Sequence, residues 1–154
     1  MSESMSVCDM LGSVSDPLVA ERHNVAMLQN LFLDFPIRVQ EYLGAGSDSM
    51  VFRAADGNVL KLTTRQLEPE MGKRRFDLPI LESGVRQSGP YAATWFVQPE
   101  ADSPIGREDF LSFLKQLRSE GYQMHQPGGD QLGYWNGQAR LLDPFAVRRI
   151  PECP

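Results

Sequence analysis

Residues 37–62 constrain the fold more than any other part of the chain, because glycine turns separate three strand-like runs there. The runs read IRVQEYL, MVFRAA and NVLKL, and the first begins with alternating apolar and polar residues. Short apolar runs bounded by turn residues are typical of β-strands. Asp56-Gly57 is a strong signal for a two-residue hairpin turn. We therefore predict three consecutive antiparallel strands over Ile37–Leu43, Met50–Ala55 and Asn58–Leu62.

The rest of the chain predicts further strands and one clear helix. Leu78–Val85 and Tyr91–Gln98 have strand-like composition and extend the antiparallel sheet. Arg107–Gly121 has apolar residues at helical spacing and ends at a glycine, so we predict a helix. Asn136–Gly137 predicts a second hairpin, whose last strand ends at Asp143. The fold class is therefore α+β.

The N-terminal segments carry weaker signals. Residues 1–15 are serine-rich and weakly patterned, so we expect a flexible N-terminus. Asp16–Pro17 is a typical helix start, with Asp as N-cap and Pro at the first helical position. Helical spacing continues afterwards, and we predict one bracing helix within residues 16–35. Residues 37–150 form the predicted main domain.

The composition narrows the possible partners and surroundings. A net charge of -5 argues against nucleic acid as a partner, and the basic clusters Lys73–Arg75 and Arg148–Arg149 are interpreted as solvated charge. The two cysteines, Cys8 and Cys153, indicate neither a disulfide framework nor a zinc site. They favour a reducing, cytoplasmic setting. No apolar run approaches the ~20 residues of a membrane helix, so we expect no membrane partner.

The glycine turn between the first two strands is a candidate phosphate-binding loop. Gly44 and Gly46 allow backbone N–H groups to approach a polyphosphate. Ser47 and Ser49 offer hydroxyl donors, and Val51 on the next strand is placed to cover a base. The alternative interpretation is an ordinary hairpin turn.

Three charged residues are further candidates. Lys61 points away from its apolar neighbours in the strand and suits an anionic partner; otherwise it is a solvent-facing lysine. Asp143 at the end of an apolar strand, with Asp130 as a second oxygen ligand, suits Mg²⁺. The alternatives are a cap beside the following proline and an ordinary turn aspartate.

The order of these features is that of the protein-kinase signature set. The chain resembles protein kinases and their small-molecule relatives, the aminoglycoside and choline phosphotransferases. The resemblance spans Ile37–Val147 and lies in Gly44–Val51, Val59–Lys61 and Gly137–Asp143. It implies a protein-kinase-like fold with a five-stranded antiparallel N-lobe sheet and a much reduced helical C-lobe.

The resemblance also implies roles for the residues around a nucleotide. Gly44 and Gly46 would lie over the phosphates of ATP, and Lys61 would contact the α- and β-phosphates. Glu68, in preference to Glu70, would pair with this lysine.

Other implied roles lie after the fifth strand. The segment Gln98–Ala101, which contains Glu100, would be the hinge that binds adenine through its backbone. Asp143 would be the metal-binding aspartate, with Asp130 as the second Mg²⁺ ligand. The helix Arg107–Glu120 would lead into the catalytic loop.

Several departures from the kinase pattern bear on catalysis. Ser49 replaces the third glycine of the loop, and the DFG motif reads Asp143–Phe145 with a central proline. The position of the catalytic aspartate falls on His125 without gaps, or on Gln123 with an insertion. A histidine can act as a general base, whereas a glutamine cannot. The activation segment and the peptide-binding helices have no counterpart.

Three hypotheses follow for function. The first is an ATP- and Mg²⁺-dependent phosphotransferase of minimal protein-kinase type that acts on a protein target. Truncated kinases among bacterial effectors and phage proteins suggest a host protein by analogy, in the cytoplasm of a host cell. The second is a catalytically dead pseudokinase that binds a partner as inhibitor or adaptor. The third is an α+β domain unrelated to kinases. Because Lys61, Asp130 and Asp143 are all present, we favour the first.

Overall fold

A computed structural model describes residues 3–151, which divide into two compact units. The first unit contains the residues up to Leu67 together with Ile80–Pro99, and the second contains Glu68–Pro79 and the residues from Glu100 onwards. Each unit has an apolar cluster of its own. Cys153 lies outside the described residues, and Cys8 is half-buried and free.

The first unit is built on one antiparallel sheet of six strands. The strands are β1 Met5–Ser6, β2 Arg38–Ala45, β3 Ser49–Ala54, β4 Val59–Thr63, β5 Glu82–Ser88 and β6 Tyr91–Gln98. Their order across the sheet is β1-β2-β3-β4-β6-β5. All five predicted strands are present, which confirms the α+β class and the antiparallel sheet. The fourth predicted strand begins later than predicted, and a two-residue strand is added at the N-terminal edge.

Three short helices precede the sheet in this unit: α1 Val7–Ser13, α2 Pro17–Arg22 and α3 Val25–Leu31. The single helix predicted within residues 16–35 is wrong, because the side chain of Asn24 accepts a hydrogen bond from the Met27 N–H at 3.1 Å and starts a new helix. Asp16 and Pro17 do begin α2 as predicted.

The flexible N-terminus predicted for residues 1–15 is a second difference. From Met5 to Ser13 the chain forms β1 and α1. The side chains of Val7 and Leu11 are buried in the core of the first unit. The few apolar residues of this serine-rich segment are therefore sufficient to anchor it.

The two faces of the sheet differ. On one face Met50, Phe52, Leu60 and Leu62 are buried in a cluster with residues of the three helices. Side chains alternate between the two faces of a strand. Lys61, between two of these leucines, therefore lies on the face away from the helices.

The second unit combines one longer helix with two antiparallel pairs of strands. The strands pair β7 with β10 and β8 with β9, and only β8 and β9 are joined by a tight turn. The predicted helix and the predicted turn at Asn136–Gly137 are both present. Between residues 3 and 151, no helix is long and apolar enough to cross a bilayer. The elements are α4 Arg107–Ser119, β7 Tyr122–Met124, β8 Leu132–Trp135, β9 Gln138–Leu141 and β10 Val147–Arg149, with 3₁₀ turns at Gly129–Gln131 and Pro144–Ala146.

Candidate functional site

Four neighbouring strands place their residues in one cross-strand row on the face of the sheet away from the helices. Gly44 on β2 pairs with Val51 on β3, Val51 pairs with Lys61 on β4, and Lys61 pairs with Phe96 on β6. The ammonium nitrogen of Lys61 is 5.7 Å from the centroid of the Phe96 ring. Directly paired residues share a face and lie next to one another. Three residues that the sequence predicts for nucleotide binding are thus side by side.

The backbone at the end of β2 explains the first glycine of the loop. Gly44 has φ +154°, and the pairing register shifts between Tyr42 and Gly44, so a β-bulge interrupts the strand. A Cβ on Gly44 would meet no atom within 4 Å. The conformation favours glycine while the space above it is open, which fits the close approach of a phosphate group. Gly46 and Ser47 at the tip of the loop are solvent-exposed.

Hydrogen bonds hold the loop from three sides. The Gly46 N–H donates to the Ser49 C=O at 2.9 Å, and the Thr64 N–H donates to the Asp48 C=O at 3.0 Å. The ring nitrogen Nε2 of His23 lies 2.9 Å from the Gly46 C=O. Sequence reasoning did not find this histidine, because its partner is distant along the chain and no local pattern marks it.

Asp143 in the second unit caps a turn. Its side chain is exposed, and Oδ1 accepts a hydrogen bond from the Phe145 N–H at 2.9 Å, which starts the 3₁₀ turn Pro144–Ala146. One carboxylate oxygen therefore has the capping role that the sequence left open as an alternative. Oδ2 is the oxygen that a metal ion would use.

Backbone hydrogen bonds place His125 and Asp130 near the turn at Asp143 in the second unit. The His125 N–H donates to the C=O of Ala146 at 2.9 Å, and the Leu142 N–H donates to the C=O of Gln131, next to Asp130, at 3.0 Å. Both predicted side chains are exposed. Over the described part of the chain, no three His, Cys, Asp or Glu side chains form a metal-ligand group. Mg²⁺ is usually held by one or two carboxylates together with substrate phosphates and water. The role of Asp130 and Asp143 as its ligands stays a prediction.

The two alternatives for the catalytic-loop position differ in their surroundings. Gln123 lies on β7 opposite Arg148. With its amide oxygen turned toward Arg148, it accepts from Nε at 3.0 Å and from Nη2 at 3.1 Å. His125 follows the strand and is exposed. Of the two, the histidine is the better placed to meet a substrate.

Glu68 and Glu70 both belong to the second unit. The pKa of Glu70 is lowered, first by its own backbone N–H, then by the Glu68 side chain and by the positive charges of Arg74 and Arg149. The two glutamates are therefore neighbours in a region of positive charge. The pairing of Glu68 with Lys61 stays a prediction.

The predicted hinge is the stretch where the chain passes from the first unit to the second. Gln98 at the end of β6 is buried, and Glu100 is exposed. The backbone of Asp102 pairs with Tyr134 through hydrogen bonds of 2.8 and 3.0 Å. The backbone role proposed for Gln98–Ala101 stays a prediction.

A buried ion pair supports the turn at Asp143. Arg74 Nε donates to Asp77 Oδ2 at 2.8 Å, and the two side chains are 10% and 1% exposed. Arg74 Nη2 also donates to the C=O of Pro144 at 2.9 Å. The interpretation of Lys73–Arg75 as solvated charge is therefore wrong for Arg74, although Arg75 is 83% exposed. The acidic residue three positions after Arg74 was the available signal.

A cavity of about 530 Å³ lies between α4 and the β8–β9 hairpin, and its lining includes Arg75, Phe76, Phe113 and Arg140. Tyr134, also in the lining, donates to Asp109, and this hydrogen bond raises the pKa of Tyr134. None of the residues predicted for the site lines this cavity.

Comparisons with known proteins address the fold alone. No protein-family model matches the chain, and no curated protein matches it. A crystal structure of WbdD at 2.2 Å is similar to it, with a TM-score of 0.52 and 15% sequence identity. The likeness covers 76% of this chain and 34% of WbdD, so the chain spans about a third of that protein. At this identity, what the two proteins share is an arrangement of strands and helices.

Proposed function

We propose that this chain is a minimal protein-kinase-like phosphotransferase that uses ATP and Mg²⁺ to phosphorylate a protein. The observation that carries the proposal is the row of Gly44, Val51 and Lys61 on one face of the sheet. A kinase-like nucleotide site places these three residue types on consecutive strands.

The first unit would bind the nucleotide. The open backbone at Gly44 would let phosphate oxygens approach the N–H dipoles of the loop, among which the Gly46 N–H already donates to the Ser49 C=O. Lys61 supplies a positive charge next to the loop, where it offsets the charge of the phosphates. Val51 offers an apolar surface for the base.

The second unit would contribute the remaining groups. Asp130 and Asp143 would hold Mg²⁺ through carboxylate oxygens. When bound, Mg²⁺ neutralises the charge that develops on the transferred phosphoryl group. His125 would accept the proton of the attacking hydroxyl. Because phosphoryl transfer depends mainly on positioning and charge neutralisation, a site without a catalytic aspartate retains a slow reaction.

Nucleotide binding is the first test. A thermal-shift and calorimetric titration with ATP and Mg²⁺ should stabilise the wild type, because a ligand that binds only the folded state raises its stability. Lys61→Ala should weaken ATP binding by about tenfold or more, which corresponds to about 1.4 kcal/mol. Lys115→Ala, which removes an exposed lysine from α4, is the matched control. If ATP and Mg²⁺ do not raise the unfolding temperature of the wild type, the proposal is wrong.

Transfer is the second test. Wild type should transfer the labelled γ-phosphate to itself or to a protein acceptor. Asp143→Asn keeps an oxygen that can accept from the Phe145 N–H, so the turn should persist while Mg²⁺-dependent transfer is lost. Transfer that is unchanged in both Lys61→Ala and Asp143→Asn would show that another site is responsible.

The second candidate function is a pseudokinase that acts by binding a partner protein as inhibitor or adaptor. Two features favour it: the position that the resemblance gives to the catalytic aspartate falls on His125 or Gln123, neither of which is an aspartate, and Asp143 uses one oxygen as a cap. This function predicts no measurable transfer at any Mg²⁺ concentration, with or without weak ATP binding. A single-turnover assay with excess protein separates the two functions, because even a slow enzyme yields labelled product.

A further inference from the structure

Helix α2 is tied at both ends to strand β2 and its loop. At its start, Asp16 accepts the Leu18 N–H through Oδ1 at 2.9 Å and the Tyr42 hydroxyl through Oδ2 at 2.6 Å. At its end, Nε2 of His23 lies 2.9 Å from the Gly46 C=O. The short helix thus runs between two fixed points on one neighbouring stretch of chain.

The two fixed points lie on either side of the bulge in β2. Tyr42 precedes Gly44, the residue with φ +154°, and Gly46 follows it. At this bulge the ladder between β2 and β3 is irregular, so the position of the loop depends on contacts beyond a regular strand pairing. Two backbone bonds, from the Gly46 N–H to the Ser49 C=O and from the Thr64 N–H to the Asp48 C=O, hold the loop from the sheet, and His23 adds a contact from outside it.

Side-chain packing beneath the loop does not substitute for the hydrogen bond between His23 and the Gly46 C=O. A cavity of about 200 Å³ lies where α2 joins α3, and its lining includes His23, Asp48, Met50 and Thr64. The loop therefore has open space beneath it on the side of the helices. The hydrogen bond from His23 is the direct link from the helix end to the Gly46 carbonyl.

We propose that α2 is a strap and that His23 is a positioning residue, which holds the glycine loop in the conformation that binds polyphosphate. This inference rests on the proposed nucleotide site and adds the element that preorganises it. Ordering a loop before its ligand arrives removes an entropic cost from binding. A carbonyl only accepts hydrogen bonds, so Nε2 carries the proton, and both the neutral Nε2–H tautomer and the imidazolium supply it.

The test compares His23→Ala with His23→Gln in the full chain, using ATP, inorganic tripolyphosphate and adenosine as separate titrants. His23→Ala should weaken the binding of ATP and of tripolyphosphate by about five- to tenfold, the size expected for one hydrogen bond. Adenosine binding should be unchanged, because adenosine carries no phosphate for the loop. His23→Gln should restore much of the loss, since its amide N–H donates from a similar position.

Three outcomes overturn the inference. If the wild type binds ATP and His23→Ala binds it equally tightly, His23 does not position the loop, and the proposed function stands. If ATP and adenosine binding fall equally, in step with the unfolding midpoint of the ligand-free protein, His23 has only a structural role. If the wild type binds neither ATP nor tripolyphosphate, the proposed function and the strap fall together. Should His23→Ala fail to fold, Tyr42→Phe, which releases the other end of α2, is titrated in its place with the same criteria.

Discussion

The two units hold their candidate site residues in different ways. In the first, Gly44, Val51 and Lys61 are placed by the register of a continuous sheet. In the second, His125 and Asp143 lie at turns whose positions depend on individual backbone bonds and on buried side chains. A sheet fixes many residues at once, whereas each turn needs a partner of its own.

This difference indicates which substitutions should displace the candidate site residues. A change on the sheet face alters one side chain and leaves the row in place, because neighbouring strands maintain the register. A change in the supports of the second unit moves the backbone that carries the functional side chain. We therefore expect substitutions far from the site to have larger effects in the second unit.

The largest effect is expected at the ion pair that supports the Asp143 turn. Asp77→Ala leaves Arg74 as a buried charge without its carboxylate, and removal of one partner of a buried pair costs about 3 kcal/mol or more of unfolding free energy. Urea denaturation measures this loss. Arg75→Ala is the control, because Arg75 is 83% exposed and its Nε is 3.9 Å from Glu120, so its loss should cost less than about 1 kcal/mol. Equal costs for the two variants would contradict the supporting role of the buried pair.

An intermediate effect is expected at the hairpin turns, where the two units should behave alike. Gly57 has φ +90° and Gly137 has φ +78°, and a Cβ at either position meets no atom within 4 Å. Alanine at each should cost about 1–2 kcal/mol, because only the backbone conformation resists the change.

Gly46→Ala is the control for these turn variants, since Gly46 does not have a left-handed backbone and its nearest contact would be at 3.5 Å. Its unfolding free energy should stay close to that of the wild type. If Gly57→Ala and Gly137→Ala differ clearly from one another, turn geometry is not a local property in this protein.

The smallest effect is expected at the first fixed point of α2, and it depends on pH. The Tyr42 hydroxyl lowers the pKa of Asp16 below its ordinary value of 3.8, so the bond stabilises the protein above that value and its contribution is lost as the pH falls through the lowered pKa. Tyr42→Phe should reduce stability at neutral pH and match the wild type in strong acid. Burial and this carboxylate raise the pKa of Tyr42 to about 12, so the wild-type advantage should persist below the ordinary value of 10.0 and disappear as the pH rises through 12. Denaturation curves across the pH range would reveal a constant difference if the bond contributes nothing.

Local patterns were sufficient to predict the sheet, α4 and both hairpin turns. Alternation places Lys61 on the face away from its apolar neighbours, and glycines with positive φ mark the turns. The same patterns did not predict the break at Asn24. The helical spacing of apolar residues continues through this position, while the Asn24 side chain also favours an N-cap that starts a new helix. They also missed α1, whose helix is held by tertiary burial of Val7 and Leu11.

The parts of the candidate site that escaped the sequence are long-range contacts. His23 meets Gly46, and Arg74 meets the C=O of Pro144, across separations that no short pattern encodes. Arg74 and Arg75 are neighbours with the same side chain, yet one is buried and the other exposed. Asp77, three positions after Arg74, is a local signal for the buried ion pair, but no local signal predicts the contact of Arg74 with Pro144.

The order of strands in the sheet has a consequence for self-association. One edge is the two-residue strand β1, and the other is β5, whose exposed residues include Glu82 and Gln87. A very short strand and a polar one are poor templates for the addition of another chain. Val85, 60% exposed, is the apolar residue on this outer strand. The two outermost strands of the sheet thus discourage edge-to-edge aggregation.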